Sequence, residues 1–239
     1  MTPTNFNSVE RLIQDAFENA TLVAEGQRPN SEQWAKALNK LNSIVNFQQT
    51  RGLKLFTLAD TSLTLTSGVY AYTLGPGATV GISMTKPLRV IQAYYLDSSG
   101  NVTPMTPVSW QEWVNLQKAG QYGQPVNYFV NKQVTTLDVS VWPTPDLFAA
   151  TGTVHFVLQQ QIEQIASLTS SVYFPSEWYL GLMWALTAEL VTGQPDSIVA
   201  RAEMKKREYL ADLEGWDVED AQTFLTPDPR GSYYSANFS

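Results

Sequence analysis

Three glycines in "TLGPGATVG" (residues 73–81) are spaced almost like those of a phosphate-binding loop. A nucleotide site needs glycines so that backbone can approach a pyrophosphate, followed directly by a helix whose N-terminal N–H groups hold the anion. The next segment, "ISMTKPLRVIQAYYL", contains Pro87 and many residues that favour extended chain. We therefore interpret Gly75, Pro76 and Gly77 as a turn that reverses the chain between two strands.

Few residues of the chain are candidates for acid–base catalysis or for binding a metal ion. The chain has no cysteine and a single histidine, His155, which excludes disulfides, thiolate metal sites and multi-histidine clusters. Alternation in "TVHFVLQQ" places His155 on the face of Thr153 and Val157, opposite Val154 and Phe156. This pattern favours a strand histidine that is exposed or hydrogen-bonded over a catalytic one.

Carboxylates offer two further possibilities. Asp217, Glu219 and Asp220 could bind a divalent cation, but they lack the glycine and the spaced ligands of a calcium loop, so a solvated acidic face is favoured. Glu112 and Asp138 could be the paired carboxylates of a hydrolase, although no sequence feature places them together. We expect no catalytic residue, no cofactor and no bound metal.

Basic residues in "AEMKKREYL" could form a phosphate-binding patch. On a helix, Lys205, Lys206 and Arg207 fan around the exposed side with Glu203 and Glu208 nearby, and Glu203 is spaced to pair with Arg207. A solvated charged face is favoured, and the three cations are a candidate helical interface.

Aromatic residues of the middle segment could form a sugar-binding platform, but in a β domain such side chains more often fill the core. The residues concerned are Trp110, Trp113, Tyr122, Tyr128 and Trp142.

Composition limits the class of protein. With 239 residues and 44% hydrophobic content, the chain can bury a substantial core. Its 15 basic and 22 acidic residues give a net charge of −7, which argues against a duplex-binding surface. The start "MTPTNFNSVERL" does not resemble a secretory signal. The longest apolar run, "WYLGLMWALTAELV", is shorter than a membrane span, so we expect a soluble, unexported protein with no membrane anchor.

Helical periodicity predicts a helix pair near each end of the chain. The first helix should start after Asn7 or Ser8 and end at Gly26. The second should be capped by Asn30 or Ser31 and stop near Gly52. Their short link predicts that they pack as an antiparallel pair.

The C-terminal pair starts with a helix led by Pro175 and ending at Leu190 or Val191. Because this helix is apolar around most of its circumference, it should be covered on more than one side. A second helix capped by Asp196 should end at Gly215.

The segment between the pairs alternates like β structure, with a short helix at 110–117. We predict strands at 55–58, 62–66, 69–74, 88–96, 127–131, 135–142 and 152–161. The fold class is therefore α+β: a helical bundle built from the N- and C-terminal helix pairs, with an inserted antiparallel β-sandwich or small barrel and an extended C-terminal arm. The corresponding domains are 1–54, 55–165, 166–215 and the arm 216–239.

The polar tail contains Phe224, Tyr233, Tyr234 and Phe238. These aromatic side chains have no local core to join, so the tail is either a docking arm or a disordered segment.

The order of several segments resembles the head-to-tail adaptor (head completion, or packaged-DNA stabilisation) proteins of tailed bacteriophages. The resemblance covers roughly residues 20–195 and depends on arrangement more than on any single motif. The segments are "LVAEGQRPNSEQWAKALNKLNSIVNFQQTRGLKLFTL", "TLTSGVYAYTLGPGA", "KPLRVIQAYYL", "VWPTPD" and "FPSEWYLGLMWALTAELVTG".

The resemblance implies a non-enzymatic virion protein at the head–tail junction, synthesised in the bacterial host cytoplasm. It implies a ring beneath the portal protein, usually of twelve copies, that extends the DNA channel and gives the next tail component a platform. Genomic DNA would pass through non-specifically, the helical part would dock on the portal, and the arm would reach along its outside. Gly75, Pro76 and Gly77 then become a candidate loop for contacting a tail nozzle or tube protein, or a neighbouring copy.

Two other classes stay open on the residues alone. A carbohydrate-binding module of a tail tip or fibre would use the aromatic residues of the β segment, and a hydrolase would use the paired carboxylates.

Overall fold

The computed structural model describes residues 8–51, 55–116, 120–162, 164–167 and 175–216. Helical segments flank a β segment, so the predicted α+β class is confirmed. The helices are α1 Val9–Asn19, α2 Ser31–Thr50, α3 Trp110–Asn115, α4 Trp178–Leu190 and α5 Asp196–Trp216. The strands are β1 Leu58–Thr64, β2 Ala71–Gly75, β3 Gly81–Ser83, β4 Arg89–Leu96, β5 Val102–Pro107, β6 Asn127–Lys132, β7 Leu137–Trp142 and β8 Thr153–Gln159.

The starts of the first three helices follow from their caps. Ser8 accepts a hydrogen bond from a first-turn backbone N–H of α1, and Asn30 and Ser109 each form a reciprocal capping box at α2 and α3. The first helix ends earlier than predicted, at Asn19, because the next turn adopts a left-handed conformation at Thr21 (φ 55°).

Helix α4 lies at the centre of the helical core, which contains buried residues of α1, α2, α4 and α5. Its buried residues surround the helix, as the sequence predicts. Contrary to the expected antiparallel pairing, α1 and α2 pack mainly on α4 and only slightly on each other. The Tyr179 hydroxyl of α4 donates to Asp15 of α1 at 2.6 Å, and burial beside this carboxylate raises the pKa of Tyr179.

The eight strands form one sheet in the order β1-β8-β4-β5-β6-β7-β2-β3. The sheet is nearly closed and barrel-like, since its two outer strands approach each other. Most neighbours are antiparallel, as predicted, but β5–β6 and β2–β3 are parallel. The interior is filled by side chains from β1, β2 and β4 to β8, so this segment has a core of its own.

Two strands, β3 and β5, were not predicted from the sequence. Residues 102–107 are rich in proline and threonine, which indicates a turn, yet they form β5. Pro104 is tolerated because β6 pairs only from Thr106 onward, which leaves the earlier part of β5 with β4 as its single neighbour. The predicted strand at 55–58 is instead a 3₁₀ turn, Leu55–Thr57, that leads into β1.

The glycine-rich loop forms a turn, but not the simple reversal that the sequence indicates. Strand β3 returns parallel to β2, so the connection makes a full loop. Gly77 has a φ of 70°, and Gly81 has a φ of 137° with its Cα directly against the backbone of Thr73. The glycines therefore serve strand packing, and a strand follows them instead of an anion-binding helix.

The β segment begins and ends beside the helices. Asn42 of α2 exchanges two hydrogen bonds with the backbone of Ile165, at 2.9 and 3.1 Å. Gln49 accepts one from the Ile162 N–H at 3.0 Å. Strand β1 starts and β8 ends at this side, which we call the near end of the sheet.

We predict that Gly81→Ala destabilises the β segment by about 1–3 kcal/mol. The new Cβ would clash with the Thr73 backbone, and the positive φ adds strain. Urea unfolding followed by circular dichroism measures the change. Gly215→Ala is the matched control, because its Cβ would have open space at the end of α5 and should change stability by less than about 0.5 kcal/mol. Equal unfolding midpoints for the two variants would contradict this account of the loop.

Candidate interaction surfaces

The three predicted cations of α5 do not share one surface. Lys206 points toward α4, with its Nζ 3.9 Å from Glu189 and 3.6 Å from Glu203. The predicted pair between Glu203 and Arg207 is replaced by this one, because spacing of three residues brings Lys206 closer. Arg207 is exposed and lines a shallow hollow on the outer side of the helix.

That outer side of α5 also exposes an apolar residue, Met204, beside two alanines. Lys205 donates to Glu208 at 2.9 Å and lies over the Tyr209 ring at 5.6 Å. The hydrogen bond to Glu208 raises the pKa of Lys205. The outer face of α5 thus combines the exposed Met204 side chain with the ion pair between Lys205 and Glu208.

The glycine-rich loop forms one wall of a hollow of about 580 Å³ on the outer face of the sheet, and α3 forms the opposite wall. We call it the sheet hollow. Its floor carries Thr73, Asn131 and Asp138, and the Thr73 hydroxyl donates to Asp138 at 3.1 Å. Pro76 and Gly77 are among the residues that line this hollow.

Aromatic rings fix α3 against the sheet. Trp113 stacks on Phe129 of β6 with ring centroids 5.6 Å apart, and Trp110 meets the same ring edge-on at 5.3 Å. Tyr128 points the other way, into the interior, where it meets Phe156. The predicted aromatics therefore do not form one platform, since neighbouring residues of β6 serve opposite faces of the sheet.

The two carboxylates of the hydrolase hypothesis each have a structural partner. Glu112 accepts from the Ser109 backbone N–H at 2.7 Å in the α3 capping box, and this bond lowers the pKa of Glu112. Asp138 accepts from Thr73 at the floor of the sheet hollow. Both carboxylates therefore accept hydrogen bonds that stabilise local structure.

His155 lies on the outer face of the sheet, as its alternation predicts. Its Nδ1 is 3.2 Å from Asp60 of β1, and its ring stacks on Tyr94 of β4 at 4.8 Å. The Tyr94 hydroxyl donates to the same carboxylate at 2.5 Å, which raises the pKa of Tyr94. The predicted hydrogen-bonded strand histidine is confirmed, and its contacts hold three strands together.

Within the described ranges, the acidic and histidine side chains form no group of three or more that could hold a metal ion. None of the helices described is long and apolar enough to cross a bilayer. The predicted arm residues Phe224, Tyr233, Tyr234 and Phe238 lie outside the described residues, as do the acids Asp217, Glu219 and Asp220.

One exposed apolar feature was missed from the sequence. Leu147 and Phe148, between β7 and β8, are 81% and 77% exposed. Their loop is held in place, because Asp146 accepts from the Ala149 N–H at 2.6 Å and Tyr95 donates to the Ala149 carbonyl at 3.0 Å. A rigid loop that presents two apolar side chains to solvent is typical of a contact surface.

We call Leu147 and Phe148 the distal tip. The directions of the strands place these two residues away from the helices. Strand β8 ends at the near end, so the loop that precedes it lies at the opposite end of the sheet. The β1–β2 turn lies there too, since the Gly68 N–H donates to the Pro145 carbonyl at 2.9 Å. The glycine-rich loop and the β6–β7 turn, with exposed Val134, lie at the near end.

A protein-family model described as SU10 adaptor protein matches residues 6–229, which is nearly the whole chain. The chain belongs to the SU10 adaptor protein family. This confirms the resemblance to phage head-to-tail adaptors. Membership of this family makes the chain a structural adaptor protein of a bacteriophage virion. A search of curated proteins finds no match.

We predict that Trp113→Ala destabilises the protein by about 3 kcal/mol, because Trp113 is 6% exposed and packs against Phe129. Trp110→Ala should cost less than about 1 kcal/mol, since Trp110 is 63% exposed. Unfolding midpoints of the two adaptor variants give the comparison. If Trp110→Ala were the more damaging change, the rings would not be packing α3 onto the sheet as described.

Proposed function

We propose that this adaptor forms a ring between the portal protein and the tail, with its helical part on the portal and its distal tip on the tail. The observation that carries the proposal is the separation of two kinds of surface. The helices carry two hollows with charged lining residues, one between α2, α4 and α5 and one on the outer face of α5. The exposed apolar pair, Leu147 and Phe148, lies at the far end of the sheet. A connector needs such polarity because its two partners are different proteins.

Ring closure requires that one face of each copy meets a different face of its neighbour. Two described surfaces are suited to this contact: the outer face of α5 around Met204, and the sheet hollow with Pro76 and Gly77 at its rim. The near-end position of the glycine-rich loop favours a neighbouring copy over the tail as its partner. We retain twelve copies as the expected number from the resemblance.

The charge of the adaptor suits passage of DNA through the ring. Its net charge of −7 repels phosphate, so the genome can slide without strong binding. Electrostatic repulsion of this kind is non-specific, which is what a channel for any sequence requires.

The aromatic residues of the tail provide the second portal contact in this proposal. Each of Phe224, Tyr233, Tyr234 and Phe238 would contribute about 1.5–3 kcal/mol when buried, before the cost of ordering the arm. Repeated around a ring, such contacts act together, because the first to form makes the others effectively intramolecular.

We expect the double change Leu147→Ser with Phe148→Ser to weaken tail attachment by at least about 10-fold while portal binding stays normal. The expectation follows from the loss of two apolar side chains at the distal tip. Counting tailed and tailless particles by electron microscopy measures the effect. Val134→Ser is the matched control, because it removes an equally exposed apolar side chain at the near end. Normal tail attachment in the double variant would reject the assignment of the distal tip.

Removal of residues 227–239 should weaken binding to purified portal without unfolding the adaptor. The deletion takes away three of the four aromatic anchors and leaves the described core intact. Sedimentation of portal with each form measures binding, and thermal unfolding monitors the fold. Binding as tight as that of the intact chain would show that the arm is not a portal anchor.

A further inference from the structure

A cleft of about 270 Å³ runs between α2, α4 and α5, and we call it the helical groove. It is separate from the outer face of α5 and from the sheet hollow. Its walls are apolar in the middle and charged at the ends. The lining residues are Lys40, Ser43, Ile44, Phe47, Gln48, Arg51, Ala185, Glu189, Lys206 and Leu210.

The two ends of the groove are defined by ionic contacts. At one end Lys40 donates to the Glu189 backbone carbonyl, and the Lys206 Nζ lies 3.9 Å from the Glu189 carboxylate. At the other end Arg51 of α2 pairs with Glu214 of α5 at 3.6 Å. Helices α2 and α5 therefore run in the same direction along the groove. Its lining carries three cations and one carboxylate, and two further carboxylates, Glu203 and Glu214, lie beside it at 3.6 Å from Lys206 and Arg51.

The middle of the groove has unfilled binding capacity. Phe47 is 60% exposed, although it belongs to a helix whose other large apolar residues are covered to a greater extent. Gln48 is only 3% exposed, and its Oε1 has no hydrogen-bond donor among the described residues. The Gln48 oxygen is too deeply buried to meet a segment in the groove, but the exposed Phe47 ring would be covered by one.

The position of the α5 C-terminus identifies the occupant. Glu214, which pairs with Arg51, is two residues before the end of α5 at Trp216, so the following residues start at the mouth of the groove. These residues, "DVEDAQTF", carry three carboxylates and then an aromatic ring. Their charge is opposite to that of the groove, and they have an apolar group for its uncovered wall.

The lengths are compatible. Along α2, the eleven residue steps from Lys40 to Arg51 span about 16 Å, at about 1.5 Å per step. About five extended residues cover that distance, at roughly 3.3 Å each. The segment after Trp216 can therefore cross the whole groove before the last aromatic anchors begin.

We propose that residues 217–224 lie in the helical groove of their own chain, with the acids against Lys40, Arg51 and Lys206 and the aromatic end against the apolar wall. In that case Phe224 binds this groove, and Tyr233, Tyr234 and Phe238 remain as the portal anchors of the arm. The segment is tethered at the mouth of the groove, so it competes at high effective concentration with any external ligand. This inference does not depend on the partners proposed for the adaptor, since it concerns the isolated chain.

Disulfide trapping tests the proposal in the full-length chain, which contains no cysteine of its own. Ser43 is exposed in the groove lining, and Ala221 lies about as far beyond the mouth of the groove as Ser43 does. Under mild oxidation, Ser43→Cys with Ala221→Cys should form a disulfide within one chain. It should form at least about 10-fold faster than in the control, Ser98→Cys with Ala221→Cys, whose first cysteine is exposed on the β4–β5 turn.

A charge change separates specific docking from random collision. Adding Lys206→Glu to the groove pair should slow trapping by about 3-fold or more, because it replaces attraction of the acids by repulsion. Lys36→Glu, on α2 but outside the groove lining, is the matched control and should leave the rate unchanged.

Non-reducing gels distinguish the outcomes. Within-chain trapping that is faster than in the control and sensitive to Lys206→Glu supports the proposal. Equal trapping rates for the two cysteine pairs would overturn it. Disulfide-linked dimers of the groove pair would also overturn it, since they would show that the groove takes the tail of another copy.

Discussion

Burial of α4 around most of its circumference is the constraint on which the rest of the structure depends. A helix that is apolar all round is stable only when other elements cover it, and here α1 and α2 come from one end of the chain and α5 from the other. The β segment must therefore leave the helices and return to the same place. The hydrogen bonds that Asn42 and Gln49 accept from the returning backbone fix that place, and the pairing of β1 with β8 joins the two ends of the segment.

Because the sheet meets the helices at only one end, its other end is free. The two ends of the adaptor therefore differ in structure. Because β1 and β8 both meet the helices at the near end, the turns between other strands are divided between the near end and the far one. Asp146 and Tyr95 hold the loop at the far end, so Leu147 and Phe148 are presented by a rigid support. The glycine-rich loop lies instead at the near end of the sheet. Its glycines are required by close backbone approach within the sheet.

Local signals made much of this fold predictable. The caps Ser8 and Asn30 and the helical periodicity predicted helices, and residues that favour extended chain predicted β4, while alternation predicted β7 and β8 within a few residues. The parallel pairings, the order of the strands and the near closure of the sheet depend on contacts between distant residues, which no single segment encodes. Strand β5 was missed because Pro104 is a poor strand residue unless one side of the strand is unpaired. The distal tip was missed for a similar reason, since exposure of Leu147 and Phe148 is decided by the path of the whole sheet.

Placement of the tail in the helical groove would also govern what the rest of the arm can reach. With residues 217–224 in the groove, the arm would leave at the end marked by Lys40 and Glu189 instead of at the α5 C-terminus. About fifteen residues would then remain, with a reach of up to about 50 Å when extended. A fixed point of departure reduces the conformational freedom that the arm loses when it binds, which strengthens binding without any new contact to the partner. The groove would thus set the direction of the arm, and the aromatic residues beyond it would need to provide only the final contact.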